Sequence, residues 1–562
     1  MSTADLPSIT TFPPILDGIA QYLSKEDFTQ CSLVSKGLNL AFKPLLWRDI
    51  SINTLPEVNP QPCKDALLTN GHLIRTLSVG HFSVTALLAS STSTCQNLQR
   101  LSTSINGEAA EEYLSNSMDL VDRNANLRYW SIGYTHPDSY STYVRFLNIL
   151  VNHQQLNSLV VVGGGSYIDI HQDILRYLPS KIEWIFADMI MIPAPSLVRM
   201  FPRPEDPQPR PYHRLRFLHS RLCWTDREGD FMPHLRQCPN LEALTIPFMR
   251  DEDMVKLAAM LSDAEQFPKL HTLQLARQDQ HTPQTIFSLI CALKGRIKHF
   301  EMEGYQRTAP VKHYCSALSI ECASTLESIE IGVDAIVSCF DIQLIATSCA
   351  GLKKLIIQSN ATENESQDVG SSEESLSGWK AIFLDEKTGQ EDHWVCAELE
   401  ELTLTILNDR WASATDVGLP EQQQQQRAAY GVKRAYRQLG RLTKLKKLTL
   451  GWLSSRGLPV ERRVDMSLGS GLAYLGGLTA LYELDYRGVP HPMIGRSEVE
   501  WMASHWPKLR KIKCKRQRYF YGTNAYTDNE YRTDDFGENL EPETDYGYLE
   551  ELLALRPNLE IE

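Results

Sequence analysis

The chain has no excess of positive charge: 56 lysines and arginines stand against 69 aspartates and glutamates, a net charge of −13. A protein that mainly wraps nucleic acid or lies on anionic lipid carries the opposite sign, so both roles are disfavoured. It lacks a long apolar run as well. None reaches the ~18 residues of a membrane span, and the nearest stretch, 182–198, is broken by Glu183, Asp188 and two prolines. The first residues show no basic stretch followed by an apolar one, so no secretory signal is read. Twelve cysteines include no CxxC pair, and reduced thiols of a cytoplasmic or nuclear protein are expected. Catalytic signatures are missing too: there is no GxSxG, HExxH or kinase set. Gly163-Gly-Gly165 follows an apolar run but lacks the lysine of a phosphate loop, and a strand-exit turn is the expected reading. No enzyme, metal site or cofactor is expected.

What the chain does have is a period. The pattern apolar-x-x-apolar-x-apolar is clearest at Leu241, Leu270, Leu352, Leu399 and Leu445. Weaker copies begin at Ile74, Leu98, Leu127, Leu156, Ile182, Leu215, Ile297, Leu326, Leu481 and Leu509, with a short one at Leu559. The first ten intervals fall between 24 and 33 residues; they then widen to 47, 46, 36, 28 and 50. The last two apolar positions, two apart, share one face of a strand. Segments between copies take helical spacing instead, as in Met254, Leu257, Ala258 and Leu261, or Ile286, Leu289, Ile290 and Leu293. One strand and one helix cannot bury their own apolar edge, so repeats must stack into a common core. Over roughly 70–562 the chain resembles the leucine-rich repeat family in its longer strand–helix form, which implies an α/β solenoid or horseshoe.

Cys95, Cys238, Cys349 and Cys396 each precede the first leucine of a repeat by three residues. Recurrence at one position reads as a buried apolar filler; the alternative, metal ligation, would leave them without His or Cys partners nearby in sequence.

The segment before the repeats reads differently. Ile15, Leu16, Ile19, Tyr22 and Leu23 fall on one helical face, and Ser24 with Asp27 forms a short capping pair. Leu33, Val34 and Leu38 make a second apolar edge, followed by Pro44-Leu-Leu-Trp47-Arg-Asp-Ile. So short a segment has a small core and a surplus of apolar surface, which predicts docking. Pro-Pro-Ile-Leu, Ser-Lys-Glu-Asp-Phe, Cys-Ser-Leu-Val-Ser-Lys and Leu-Leu-Trp-Arg-Asp-Ile together resemble an F-box over 12–50. The resemblance implies a small three-helix motif that binds the Skp-type adaptor of a cullin–RING ubiquitin ligase. Its adaptor-facing or motif-core residues would be Pro13, Pro14, Ile15, Leu16, Ile19, Leu23, Leu33, Val34 and Trp47. The expected organisation is a flexible lead-in over 1–11, the F-box over 12–50, a linker or first helix over 51–70, and the repeats over 71–562. Insertions are expected at about 359–392, 408–440 and 519–548.

F-box and repeats together resemble the substrate-recognition subunit of an SCF-type ligase, non-catalytic, with a target protein held by the repeats. The alternative is a ligase-independent scaffold or regulator whose first helices only cap the array. Residues between the strand anchors should line the inner wall. His299, Glu301, Glu303 and Glu330 make its middle acidic, while Lys447, Lys511, Lys513 and Lys515 make its end basic, so a charge-complementary target is expected. The segment 427–447, with eight bases and no acid, predicts a basic amphipathic helix, read as a solvated face in preference to a nucleic-acid site.

Overall fold

A computed structural model describes residues 18–19, 22–52, 60–91, 94–104, 110–134, 140–163, 177–189, 211–220, 232–246, 251–276, 282–303, 311–332, 339–357, 393–404, 433–451, 466–488, 494–513 and 552–561. The chain divides into two compact units, residues 1–247 with 265–270, and 248–264 with 271–562.

In the first unit residues 18 and 19 are helical; after them come helices α1 (Lys25–Val34) and α2 (Lys36–Arg48), and α2 runs straight into strand β1 (Asp49–Ile52). Then follow α3 (Gln61–Asn70), β2 (Thr76–Val79), α4 (Phe82–Ser90), β3 (Arg100–Thr103), α5 (Ala110–Asp122), β4 (Tyr129–Tyr134), α6 (Tyr140–Asn152), β5 (Ser158–Gly163), β6 (Trp184–Met189), β7 (Phe217–Ser220), α7 (Met232–Leu235) and β8 (Ala243–Ile246). Each strand pairs in parallel with the next, β1 to β8 in chain order. The sequence period therefore is one strand per repeat. β1 precedes the first copy expected at Ile74; Trp47-x-x-Ile50-x-Ile52 carries the same spacing.

The register stacks equivalent residues into columns. Leu77, Leu101, Trp130, Leu159, Ile185, Leu218 and Leu244 share one buried column, each at most 4% exposed. Burying a side chain of this size stabilises the fold by ~1.5–3 kcal/mol, so the column is the spine of the unit. Just before each strand, an N–H extends the ladder backward: Gln99 donates to the Arg75 carbonyl at 2.7 Å and Arg128 to that of Gln99 at 2.8 Å. Buried Asn124 stitches two repeats, accepting from the Leu98 N–H at 2.7 Å and donating to the Cys95 carbonyl at 2.7 Å.

The second unit contains α8 (Asp251–Leu261), β9 (Thr272–Ala276), α9 (Pro283–Ala292), β10 (His299–Glu303), α10 (Val311–Glu321), β11 (Ser328–Ile331), α11 (Cys339–Ser348), β12 (Lys354–Ile357), β13 (Glu401–Leu404), β14 (Lys447–Gly451), β15 (Glu483–Gly488), α12 (Arg496–His505), β16 (Lys511–Lys513) and β17 (Glu560–Ile561). These strands too pair in parallel and in chain order. Its spine is Leu273, Phe300, Ile329, Leu355, Leu402, Leu448, Leu484 and Ile512, all buried. The helical faces expected from spacing are buried as well: Met254, Leu257, Ala258 and Leu261 on α8, and Ile286, Leu289 and Ile290 on α9 with Leu293 just beyond it. Of the basic segment 427–447, residues 433–439 are helical with Ala435, Tyr436 and Leu439 buried. Backbones come close here: a Cβ on Gly440 would collide with the Tyr474 carbonyl oxygen, and one on Gly477 with that of Gly440.

All four repeat cysteines are free and buried. Burial pushes the thiols of Cys95, Cys238, Cys349 and Cys396 up to about 12, so they sit as neutral fillers. Among the described residues no group of three or more His, Cys, Asp or Glu could hold a metal ion. Nor is any described helix long and apolar enough to cross a membrane.

The expected insertions at 359–392 and 519–548, most of 408–440, the lead-in 1–11, Gly164 and Gly165 lie outside the described residues.

Candidate partner-docking surfaces

Two surfaces follow from this architecture. The first is on α1 and α2. Ser24 caps α1, its Oγ accepting from the Asp27 N–H at 3.2 Å, while Asp27 Oδ2 accepts from the Ser24 N–H at 2.8 Å. The Ser24 N–H first, and then the Ser24 hydroxyl, which also donates to Asp27 Oδ2 at 2.8 Å, hold the Asp27 carboxyl below its usual range, and both halves of the capping box are made. The helices close on a core of two rings, Phe28 and Phe42, with centroids 5.7 Å apart, ringed by Leu23, Cys31, Leu38, Ala41, Leu45 and Leu46. Lys25 Nζ donates to the Asp49 carbonyl at 2.6 Å, and the Arg75 N–H donates to the Arg48 carbonyl at 2.8 Å, tying the helices to β1 and β2.

So small a core leaves apolar side chains in water. Leu33 is 75% exposed, Val34 and Leu40 73%, Tyr22 88% and Ile19 40%. Leu33 and Val34 end α1 and Leu40 lies early in α2, so all three flank the turn at Ser35. Of the residues expected to face an adaptor, Ile19, Leu33 and Val34 are exposed, and Leu23 and Trp47 half-buried. Pro13, Pro14, Ile15 and Leu16 lie outside the described residues. Leu40 and the Phe28–Phe42 core were not among the expected residues; Leu40 breaks the periodic apolar face of the segment.

The second surface is the face of each sheet opposite its core. In the second unit the expected acidic middle and basic end do not stand as free charge. The first residues of successive strands run Lys354, Glu401, Lys447, Glu483, Lys511, Glu560. The residues just before five consecutive strands run Lys298, Glu327, Lys353, Glu400, Lys446. Signs alternate along both columns, because neighbouring repeats carry matched doublets: Lys353-Lys354, Glu400-Glu401, Lys446-Lys447. Lys354 pairs with Glu330 at 2.6 Å, Lys447 with Glu401 at 2.7 Å, Lys513 with Glu483 at 2.6 Å and Lys511 with Glu560 at 3.7 Å. Beside them Glu327 bridges Lys353 at 2.6 Å and Lys298 at 3.1 Å. Hydrogen bonds from Lys353, then Lys298, bring the Glu327 carboxyl down to about 2. Burial works against the Lys447 ammonium, yet the hydrogen bond from it to Glu401 holds it above its usual value. The lysines at the end of the basic segment are paired in the same way, Lys444 with Glu398 at 2.5 Å and Lys446 with Glu400 at 2.7 Å.

His299 lies edge-on to His271 at 5.8 Å. Burial, then the His271 charge, lowers its pKa, so it is a neutral ring. Glu301 is half-buried; the Glu303 side chain and Lys515 lie outside what is described. Taken strand by strand these charges look free; only the columns set by the register expose the pairing.

In the first unit the open face carries rings and arginines. Trp184 and Phe186 stack at 6.0 Å, and Phe186 and His219 at 4.1 Å with rings 3° from parallel. Arg100 lies over the Tyr129 ring at 4.6 Å and Arg216 over that of Phe217 at 5.4 Å. These rings do not stand out in sequence, because they fall in pairs, Trp184 with Phe186 and Phe217 with His219, about thirty residues apart.

No family model matches the chain, and no curated protein matches it. Among solved structures the chain is similar to the crystal structure of the Rad7 and Elc1 complex in yeast, at 11% identity over 91% of this chain and 94% of that chain, with a TM-score of 0.32.

Proposed function

We propose that this chain is a non-catalytic substrate-recognition subunit of an SCF-type ubiquitin ligase, its first helices an F-box that docks a Skp-type adaptor and its repeats a leucine-rich array that holds the target. The observation that carries the reading is the apolar ledge of Leu33, Val34 and Leu40 on a helix pair closed by only two buried rings. A bare apolar patch rooted on a rigid sheet is what a docking site requires. In such a subunit the chain does no covalent chemistry; it raises the effective concentration of target and ubiquitin-loaded enzyme on one scaffold.

A second reading, a scaffold whose helices only cap the first strand, is favoured by one feature: α2 continues into β1 without a linker. A cap has no need of exposed leucines. The two separate in a binding titration with purified Skp-type adaptor. The receptor reading expects a complex that Leu33→Asp with Leu40→Asp weakens at least about tenfold, ~1.4 kcal/mol, with the melting temperature held. Absence of any complex with the intact chain leaves the cap reading.

A further inference from the structure

Within the first unit, the open-face columns change character between β2 and β7. Over β2–β4 they hold three arginines and no acid: Arg75 and Arg128 just before their strands, and Arg100 at the head of β3. All three are exposed, and among the described residues none has a carboxylate partner. The next column inward is serine on four successive strands, Ser51, Ser78, Ser102 and Ser131. Small hydroxyl side chains keep this floor low and offer both donors and acceptors. Beyond it, over β6–β7, stand the half-buried rings of Trp184, Phe186 and Phe217. Glu183 and Glu242 flank that end, Glu242 already held by Arg216 at 2.7 Å.

We propose that this face binds an extended peptide of a partner protein, laid across the strands with an acidic stretch over Arg75, Arg100 and Arg128 and an apolar stretch over Trp184, Phe186 and Phe217. The inference deepens the receptor reading, because it names the target's chemistry, but its test does not involve the adaptor. Strands lie ~4.8 Å apart, so β2 to β7 spans about 24 Å, the length of about seven extended residues. Guanidinium groups without a carboxylate partner among the described residues give the acidic end charge-assisted, bidentate partners. The stacked rings supply a desolvated anchor at the other end, the usual place of binding hot spots. Single-stranded nucleic acid also uses rings and arginines, but Glu183 and Glu242 beside the rings would face its phosphates, whereas the apolar half of a peptide carries no charge there.

Selection of random twelve-residue peptides displayed on phage, against the full chain, tests the idea. The expected winners carry two or more acids followed within about four residues by Leu, Phe or Trp. Synthetic winners should bind at least about tenfold more weakly to Arg100→Glu with Arg128→Glu, and to Trp184→Ser with Phe186→Ser. The arginine variant is a surface change that leaves the fold intact, so its binding loss does not depend on the ring variant folding. Basic winners, no enriched class, winners that bind both variants as well as the intact chain, or tighter binding of an oligothymidine than of any peptide would each overturn the proposal.

Discussion

The two units build the same ladder and clothe its open face in opposite ways. In the second, lysine and glutamate alternate at the first residues of β12–β17 and just before β10–β14, so that each of these charges has a neighbour of opposite sign. In the first, arginines stand over β2–β4 with no acid among them, next to stacked rings. The difference follows where the repeats are uneven. Strands β12, β13 and β14 are separated by 47 and 46 residues, and long connections do little to dictate which strand lies beside which. Matched doublets do. If β12 skipped β13 to pair with β14, Lys353 and Lys354 would meet Lys446 and Lys447, and like charges directly opposite are destabilising. In the second unit the matched doublets therefore favour the native strand order, whereas Arg75, Arg100 and Arg128 of the first have no such counterpart among the described residues.

The largest effect should be blind to this contrast. Leu159→Ala in the first unit and Leu448→Ala in the second each empty a fully buried spine position, and each should cost about 2–5 kcal/mol in denaturant unfolding. A loss in only one unit would mean the contrast reaches the core. Next in size is charge reversal. Glu401→Lys sets three lysines side by side across β12–β14 and should cost about 1–2 kcal/mol, partly recovered by adding Lys447→Glu and by about 0.5 M salt. The matching reversal in the first unit, Arg100→Glu, should leave stability within about 0.5 kcal/mol. Equal losses from the two reversals would erase the distinction.

The smallest effect is acid titration. Glu327 is held at about 2 against an ordinary 4.5, so its folded pKa is depressed. Its stabilisation is present in full above the ordinary value and is lost as pH falls toward about 2. The melting temperature of Glu327→Gln should therefore lie about 1–2 °C below that of the intact chain at pH 6 and coincide with it near pH 2. A gap that persists at pH 2 would mean that packing, not charge, is what Glu327 contributes.

Most of the repeat was legible because its signal is local: a strand with anchors two apart and a helix with anchors three and four apart announce themselves within one period. β1 escaped because its copy begins on Trp47 inside a helix, so helical spacing masked strand spacing. The capping box of Ser24 and Asp27 was legible for the same local reason. The open face was not. Whether Lys447 is free or matched depends on Glu401, 46 residues earlier, and Phe186 meets His219 across 33 residues of chain. Such pairs exist only once register is known, so a reading of single strands sees charge where the ladder has neutrality. The ledge was half legible: Leu33 and Val34 were expected at the surface for their position in a motif, while Leu40 is exposed because the Phe28–Phe42 core is too small to reach it.

Hydrogen exchange of the intact chain, with and without purified Skp-type adaptor, tests the central claim most directly. The account predicts that adaptor slows exchange across α1 and α2, centred on the turn at Ser35, and leaves the amides of β9–β16 unchanged. Unaltered exchange in α1 and α2 at saturating adaptor, or protection confined to the strands, would contradict it.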